Sequence, residues 1–305
     1  MTIDIAALKK RRTQLKDKYA DKLATAGKSS FSGNEDKNSW YPKLNEKGAA
    51  RAVIRFLLPV GTMDLPWEEV YDHGFKGPTG KWYINNCPTS IGQDCPVCAA
   101  NKVLWDTGLD EKKKIASERK RSLKFHANVL IVSDPTQPEL NGTVAVFKFG
   151  PQVMGVLQDA GKEDELDPDY VPVDAFCPWD GANFVLKIMK DEKNRTSYLK
   201  SEFEKPAPMG TDKEIAALLE QAHDCKVLYK DESKFKSFDK LKIEFDRSQG
   251  ATAQAASPTN TVAASTQGNT AAAKTGTSAD AAAAAEDIDE LDGLFEEDGE
   301  DDIPF

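Results

Sequence analysis

The sequence predicts an α+β fold with a small β-barrel at its centre. Three observations favour this class: short runs rich in β-branched and aromatic residues, turn signals between the runs, and intervening stretches of helix-forming composition. The strand candidates are residues 52–58, 127–133, 143–149 and 183–189. Because short strands with irregular helical insertions are typical of an elaborated small barrel, we expect a barrel of the OB type.

The other elements of this body are helices and turns. Residues 102–115 and 215–222 have helix-forming composition, while Asp134-Pro135, Asn141-Gly142 and residues 178–181 supply turns. We therefore predict a folded core over residues 26–249, entered through a segment rich in Gly, Ser, Asn and Lys.

A basic arm is predicted ahead of the core, over residues 1–25. Apolar residues at helical spacing indicate a short helix that is too small to bury a core alone. The arm carries a cationic block that ends in a hydroxyl residue: Lys9, Lys10, Arg11, Arg12 and Thr13. A basic helix that only raises solubility is the alternative interpretation.

The C-terminal end differs from the core in charge. Residues 250–305 hold twelve acidic residues and one basic residue, a net charge of −11, whereas the whole chain carries −10. The rest of the chain is therefore at about +1, and polyanion binding stays open. Small polar residues predict a disordered linker over 250–285. Acids alternating with large apolar residues predict a partner-binding tail over 286–305.

Membrane and export signals are absent from the sequence pattern. No stretch approaches the roughly 18 apolar residues of a spanning helix, and no apolar signal segment precedes the basic block. Of five cysteines, three lie close to a histidine, which favours a metal site in a reducing compartment over disulfides. We expect a soluble cytoplasmic protein with no membrane partner.

One metal site is predicted from His73, Cys87, Cys95 and Cys98, which fall within 26 residues. Imidazole and thiolates are the ligands that tetrahedral Zn²⁺ prefers, and the C-x-x-C spacing allows two cysteines to hold one ion. Four protein ligands leave no position for water, so we expect one structural zinc ion. The alternative is a set of ordinary buried thiols beside an unrelated histidine.

Catalytic patterns find little support. A zinc deaminase would show H-x-E followed by P-C-x-x-C, but Gly74 and Phe75 follow His73, and Asp94 precedes Cys95. A nucleophile elbow and a phosphate-binding loop are also missing. Cys177 is interpreted as a buried thiol, as is the fifth cysteine. The sequence therefore predicts that the protein is not an enzyme.

Basic and aromatic residues interleave in three segments of the core. Single-stranded nucleic acid is held by cations along its phosphates and flat side chains under its bases, so this pattern indicates a nucleic-acid surface. The candidate contacts are Arg119, Lys120, Arg121, Lys124, Phe125, Phe147, Lys148, Phe149, Tyr198 and Trp105. Trp82 and Tyr83 also flank the metal region. Each aromatic residue in a strand could equally belong to the core, and each charge run could be a solvated face.

Several long motifs resemble the helix-destabilising single-stranded DNA-binding protein family of T4-like bacteriophages. The resemblance covers about residues 1–245. The motifs that carry it are residues 52–57, 73–76 (His-Gly-Phe-Lys), 80–84 (Gly-Lys-Trp-Tyr-Ile), 95–98 (Cys-Pro-Val-Cys), 127–130 and 177–187, together with Cys87.

The resemblance implies an OB-fold core with a zinc subdomain at about residues 70–100. It implies cooperative, sequence-nonspecific binding of single-stranded DNA in phage replication, recombination and repair, in the cytoplasm of the infected host. Zinc ligands carry over to the four residues above, and DNA contacts to Phe125, Phe147, Lys148 and Tyr198. Phenylalanine stands at the first two where the family's best-known member has tyrosine, and Trp105 is expected to replace another aromatic residue.

The resemblance also gives both ends of the chain a role. The family's basic arm binds a neighbouring molecule, which implies self-association through Lys9 to Thr13. The acidic end instead resembles the tip of bacterial single-stranded DNA-binding proteins, which implies recruitment of replication, recombination and repair proteins. The tip residues are Asp301, Asp302, Ile303, Pro304 and Phe305.

Two other functions stay open from the sequence. Stacking and phosphate contacts also suit RNA, so an RNA-binding translational regulator is one alternative. A zinc-containing scaffold, in which the metal knuckle and the tail both bind proteins, is the other.

Overall fold

The computed structural model describes residues 37–163, 170–191 and 195–250, together with Ala7 and Lys9. Within these residues, nine strands form a mixed sheet accompanied by six α-helices. The predicted α+β class is confirmed, and the OB barrel stays a prediction.

The strands are numbered in chain order. They are β1 (Ser39–Trp40), β2 (Ala50–Phe56), β3 (Trp67–Lys76), β4 (Trp82–Asn86), β5 (Ser122–Ser133), β6 (Val144–Phe149), β7 (Phe184–Lys190), β8 (Thr196–Ser197) and β9 (Glu202–Phe203). Their hydrogen-bonded order is β1-β6-β5-β2-β7-β8, with β3 joining β4 to β5 and with β9 beside β7.

The helices lie between and after the strands. They are α1 (Pro96–Asp106), α2 (Asp110–Glu118), α3 (Pro151–Ala160), α4 (Asp212–Gln221), α5 (Cys225–Lys230) and α6 (Phe238–Ser248). Short 3₁₀ turns occur at Pro88–Ile91, Pro138–Leu140 and Glu232–Lys234. Among the described residues, none of the helices has the length and apolar character needed to cross a membrane.

Strand β5 connects the two halves of the sheet because it pairs with three other strands. Along one edge it runs antiparallel to β6, with Phe125 opposite Phe149. Along the other edge its first half pairs with β3 and its second half pairs with β2. The twelve-residue strand therefore links the β3–β4 hairpin to the rest of the sheet.

The main hydrophobic core is built from alternate residues of these strands. In β5, Phe125, Ala127, Val129 and Ile131 have no exposed surface. Successive side chains of a strand point to opposite faces, so Lys124 and the other even-numbered residues of β5 project away from this core. The sheet thus has an apolar face and a polar face along the same strands.

A second, smaller core lies between the β3–β4 hairpin and α6. The rings of Phe75 and Tyr83 stack with centroids 5.1 Å apart, and Phe245 of α6 meets both of them edge on. Cys87 and Cys95 belong to the same cluster. This small core therefore packs directly against the predicted metal ligands.

The predicted elements agree well with these bounds. The four predicted strands are present as parts of β2, β5, β6 and β7, and residues 215–222 fall largely within α4. Residues 102–115 divide between α1 and α2, because Gly108 takes the left-handed conformation (φ 70°) and ends the first helix. The β3–β4 hairpin was not predicted, since acidic residues and Gly74 interrupt its apolar pattern.

Candidate metal centre and nucleic-acid interface

Four side chains with nitrogen or sulfur ligands meet beside the β3–β4 hairpin. The ligand atoms of His73, Cys87, Cys95 and Cys98 all lie within 4.8 Å of one another. His73 Nε2 is 3.4 Å from Cys95 Sγ and 3.5 Å from Cys98 Sγ. Cys87 Sγ is 3.6 Å from Cys98 Sγ. The structure brings together all four predicted ligands.

Each ligand is fixed by the element that carries it. His73 lies in β3, and Cys87 follows β4, where its backbone N–H donates to the Tyr71 carbonyl at 2.8 Å. Cys95 is the N-cap residue of α1, and Cys98 lies in the first turn of that helix. The hairpin and the helix therefore supply two ligands each.

The spacing of the donors suits a tetrahedral metal ion. With Zn–S near 2.3 Å and Zn–N near 2.0–2.1 Å, tetrahedral angles place two sulfurs about 3.8 Å apart and a sulfur about 3.5 Å from the nitrogen. Here the sulfurs of Cys87 and Cys98 are 3.6 Å apart, and His73 Nε2 lies 3.4 and 3.5 Å from its two neighbouring sulfurs. The cluster could therefore hold a tetrahedral ion of the size of zinc.

The electrostatics of the cluster favour a cation. His73 Nδ1 lies 2.9 Å from the Arg119 carbonyl oxygen, so Nδ1–H donates there and leaves Nε2 for the sulfurs. Burial lowers the pKa of His73, but hydrogen bonds to Cys87 and Cys95 outweigh it and raise this pKa to about 9. Hydrogen bonds from Cys95 and Cys98 lower the pKa of Cys87. A thiolate is thus stabilised in the cluster, as metal binding requires.

The predicted basic run of Arg119, Lys120 and Arg121 lies directly against the β3–β4 hairpin. The carbonyl of its first residue accepts the histidine bond just described, and its middle residue is exposed. The Arg121 guanidinium lies 4.2 Å from the Tyr71 ring centroid, and its Nη1 donates to Thr89 Oγ1 at 2.7 Å. Hydrogen bonds and a cation–π contact therefore join the cationic run to the residues around the metal cluster.

Two predicted cations share the side of the sheet that faces away from the main core. We define the polar face as Glu68, Asp72, Lys124, His126 and Lys148, in which His126 pairs across the strands with both Glu68 and Lys148. Lys148 Nζ lies 3.9 Å from Asp72 Oδ2. Burial lowers the pKa of Lys124 to about 8 and that of His126 to about 3. At neutral pH the histidine is therefore uncharged, and positive charge on this face resides on the lysines. The Lys148 side chain is 24% exposed, whereas Lys124 is only 1% exposed.

Helix α5 and the turn after it cover one end of the polar face. Lys230 Nζ lies 3.0 Å from Glu68 Oε2, and the Tyr229 ring stacks on His126 with centroids 4.0 Å apart. Further along, Asn86 Nδ2 donates to the Lys234 carbonyl at 3.3 Å.

The three predicted phenylalanine contacts lie on the other side of the sheet. Phe125 and Phe147 have no exposed surface, and Phe149 is only 2% exposed. The Phe149 ring stacks between the other two, at 5.5 Å and 5.3 Å. A nucleobase cannot stack on a ring that has no accessible surface. In this conformation the three rings belong to the core, while Lys148 between two of them projects to the polar face.

The last two predicted contacts lie apart from this group. The Tyr198 hydroxyl is 2.8 Å from that of Tyr41, and its ring packs at the edge of the main core. Trp105 is 38% exposed near the end of α1, the helix that carries Cys98.

The sequence patterns gave no specific role to the exposed face of the β3–β4 hairpin. Trp82 and Ile84 are 60% and 56% exposed and pair across the strands with Lys76 and Gly74. A Cβ at Gly74 would meet nothing within 4 Å. We call these four residues the hairpin face. Because alternate residues of β3 share a side, the hairpin face continues the polar face. The signal in the sequence that could have revealed the hairpin face is the alternation of residues around the buried Tyr83 in β4.

Most of the predicted arm and the whole tail lie outside the described residues, including Lys10 to Thr13 and Asp301 to Phe305. Lys9 is described, and it contacts the core at Asp212. The two remaining cysteines, Cys177 and Cys225, are buried as predicted.

Comparison with known proteins identifies close relatives. The family model described as "gp32 DNA binding protein like" matches residues 48–248. The single-stranded DNA-binding protein of Enterobacteria phage T4 is 36% identical over 250 residues, which cover 78% of this chain and 80% of that protein. The protein of the same name from Enterobacteria phage T2 is 34% identical, with 80% of each chain covered.

Proposed function

The chain belongs to the gp32-like family of DNA-binding proteins, and from this premise we propose that it coats single-stranded DNA with little sequence preference. The observation that carries the proposal is the family match, which spans the metal cluster and all the described cations predicted to contact DNA. The relatives are named as binding proteins, in agreement with the prediction that the chain is not an enzyme.

Phosphate contacts are assigned to the cations that lie together. Arg119, Lys120 and Arg121 lie against the β3–β4 hairpin, and Lys148 lies on the polar face. Lys124 shares that face but is only 1% exposed, so a phosphate contact through it would require its ammonium group to become accessible. Single-stranded DNA is bound through cations along its backbone, so these residues supply the salt-dependent part of the affinity.

Base stacking is assigned to exposed rings rather than to the buried phenylalanines. Trp82 on the hairpin face is 60% exposed and Trp105 is 38% exposed. Tyr198, the other aromatic candidate from the sequence, is half-buried at the edge of the main core. Stacking on an aromatic ring is tolerant of sequence because every base has a π face. The stacking role of Phe125, Phe147 and Phe149 would require these rings to leave the core.

The metal is proposed to be one structural zinc ion held by His73, Cys87, Cys95 and Cys98. Three thiolates and an imidazole are typical zinc ligands and would leave no open coordination position. The ion would lock the hairpin to α1 and, through the His73–Arg119 bond, would hold the basic run in place.

The ends of the chain complete the proposal. Lys9 to Thr13 would join neighbouring molecules into a cooperative filament, and the acidic residues up to Phe305 would recruit replication, recombination and repair proteins. The site of action would be the cytoplasm of an infected bacterial host. These roles follow the family resemblance and the charge pattern of the sequence.

A salt-titrated binding isotherm on poly(dT), with and without chelator, tests the DNA and zinc proposals together. We expect the logarithm of the affinity to fall against the logarithm of salt concentration by about 0.7 per phosphate neutralised. Chelation should lower both the affinity and the Tm. A matched RNA homopolymer and a duplex of equal length are the competitors.

Matched cysteine variants separate the metal from general effects of thiol loss. Cys87→Ser removes a ligand and should abolish the response to chelator, whereas Cys177→Ser removes a buried thiol outside the cluster and should keep it. Equal affinity for duplex and single strand would contradict the proposed function.

A further inference from the structure

The imidazole ring of His126 lies in the polar face, beneath α5. The residue is 4% exposed, and its ring stacks on the Tyr229 ring with centroids 4.0 Å apart and an angle of 22° between the planes. Its Nδ1 is buried and has no hydrogen-bond partner among the residues that the structure describes. Because buried polar atoms are normally hydrogen-bonded, this nitrogen points to a function for the ring beyond packing.

Two lysines lie beside this ring on the same face of the sheet. Lys148 pairs with His126 across the strands, and Lys124 precedes it by two residues in β5. Burial lowers the pKa of His126 to about 3, so the ring is neutral at pH 7. A neutral flat ring next to two cations offers a nucleotide both contacts that single-stranded DNA uses, stacking for the base and positive charge for the phosphates.

Helix α5 covers this imidazole with the Tyr229 ring. The helix is anchored at its start, where the Thr62 N–H and hydroxyl both donate to Asp224 Oδ2, at 2.7 and 2.9 Å. Its last residues, Tyr229 and Lys230, are held on the polar face by the ring stack and by the 3.0 Å ion pair from Lys230 Nζ to Glu68 Oε2. Because the anchor and the ring lie at opposite ends of α5, the last turn can leave the sheet while the first turn stays in place.

We propose that His126 is a base-stacking subsite for single-stranded DNA and that Tyr229 occupies this subsite in the free protein. The inference rests on the proposed function and deepens it. A nucleobase displaces the Tyr229 ring and stacks on the imidazole, and Nδ1 becomes accessible to water or to the adjoining nucleotide. Lys148, directly across the strands, supplies charge for a phosphate. The tyrosine shows what the subsite accepts, namely a flat ring nearly parallel to the imidazole.

The exchange makes the protein a competitor of DNA for its own subsite. One stacked ring replaces another, so the aromatic contact of His126 is kept, whereas the ion pair between Lys230 and Glu68 is broken. The measured affinity of a ligand falls in proportion to the fraction of molecules in the binding-competent form. A change that removes the Tyr229 ring should therefore strengthen DNA binding, which loss of a merely structural contact would not do.

Paired variants of the two rings test this proposal on oligo(dT) of fixed length. Tyr229→Ala should lower the Kd roughly fivefold, because the closed form loses its stacked ring. His126→Ala should raise the Kd roughly tenfold, and in the H126A/Y229A double variant the tyrosine change should no longer tighten binding. Val227→Ala, which shortens an exposed side chain of the same helix, is the matched control and should bind like the wild type. Thermal unfolding without DNA verifies that each variant is folded.

Photocrosslinking of the wild-type chain makes the test independent of how the variants fold. An oligo(dT) that carries 5-iododeoxyuridine should crosslink to His126 on irradiation, as mapped by mass spectrometry of the digested complex. Crosslinks at Tyr229 or Trp82 with none at His126 would overturn the subsite while leaving the proposed function in place. A folded Tyr229→Ala variant that binds no more tightly than the wild type would also overturn it. If the wild type bound no oligonucleotide at all, the proposed function would fail and the subsite with it.

Discussion

The two faces of strands β5 and β6 differ more than their shared sequence pattern indicates. On one side, Phe125, Phe147 and Phe149 stack in the main core with almost no exposed surface. On the other side, the intervening Lys124 and Lys148 lie with Asp72 on the polar face. Neighbouring residues along one strand therefore lie on two different faces, and we propose stability as the role of the first face and DNA binding as the role of the second.

The burial of these rings changes the role assigned to the aromatic residues. Alternating basic and aromatic residues in a strand indicate two faces, and the aromatic face was the one expected to meet bases. The structure gives that face to the core and leaves exposed rings to the hairpin, where Trp82 extends the side that carries the lysines. The lysines and the exposed Trp82 thus share one side of the sheet while the core rings stay buried, and we propose that this side meets the DNA.

Removing a ring from the core face should have the largest effect. Phe147→Ala should lower the free energy of unfolding by about 3–5 kcal/mol, because a fully buried phenylalanine leaves a cavity among its aromatic neighbours. Chemical denaturation measures this directly. Affinity for oligo(dT), measured under conditions in which the variant is folded, should fall by much less.

Lys148, the next residue of the same strand, should matter more for DNA binding than for stability. Lys148→Ala should change stability by less than about 1 kcal/mol, since its ion pair to Asp72 is long and partly exposed. The same change should weaken DNA binding and reduce its salt dependence. Equal stability losses in both variants would contradict the division between faces.

The sequence supports the metal site better than the DNA surface for a physical reason. Ligand identity and spacing limit where His73 and the cysteines can lie, and strand alternation places residues on one of two sides. Neither pattern states which side is buried, because burial depends on what packs against the sheet from distant segments. The β3–β4 hairpin shows this limit, since its strands are stabilised by α6, more than 150 residues away from β4.

A smaller effect is expected at the hairpin face, where we propose that Trp82 stacks on a base. Trp82→Ala should weaken oligo(dT) binding by about 1–3 kcal/mol, the usual value of one base stacked on an aromatic ring. Stability should change by less than about 0.5 kcal/mol, because the side chain is mostly exposed. Titration of oligonucleotides of fixed length measures the loss.

Two further variants sharpen that result. Trp82→Phe keeps a ring and should retain most of the affinity, whereas Leu109→Ala removes an exposed apolar side chain elsewhere and should have no effect. If Trp82→Ala bound as tightly as the wild type, stacking would have to be reassigned to Trp105 and Tyr198.

The smallest expected effect is a pH dependence carried by Lys124. Burial lowers the pKa of this lysine to about 8, from an ordinary value of 10.5. If a phosphate contact restores the ordinary pKa, affinity should fall about tenfold between pH 7 and pH 9, as the free protein loses the proton that the complex keeps.

The sign of the accompanying stability change is opposite and provides a check. A lysine whose pKa is lowered in the folded state binds fewer protons there than in the unfolded chain, so stability should rise as pH increases from about 8 to 10.5. Lys124→Arg keeps its charge throughout this range and should flatten the pH dependence of both properties. Identical affinity profiles for the wild type and the arginine variant would place Lys124 outside the DNA contact and leave Lys148 as the cation of the polar face that meets phosphate.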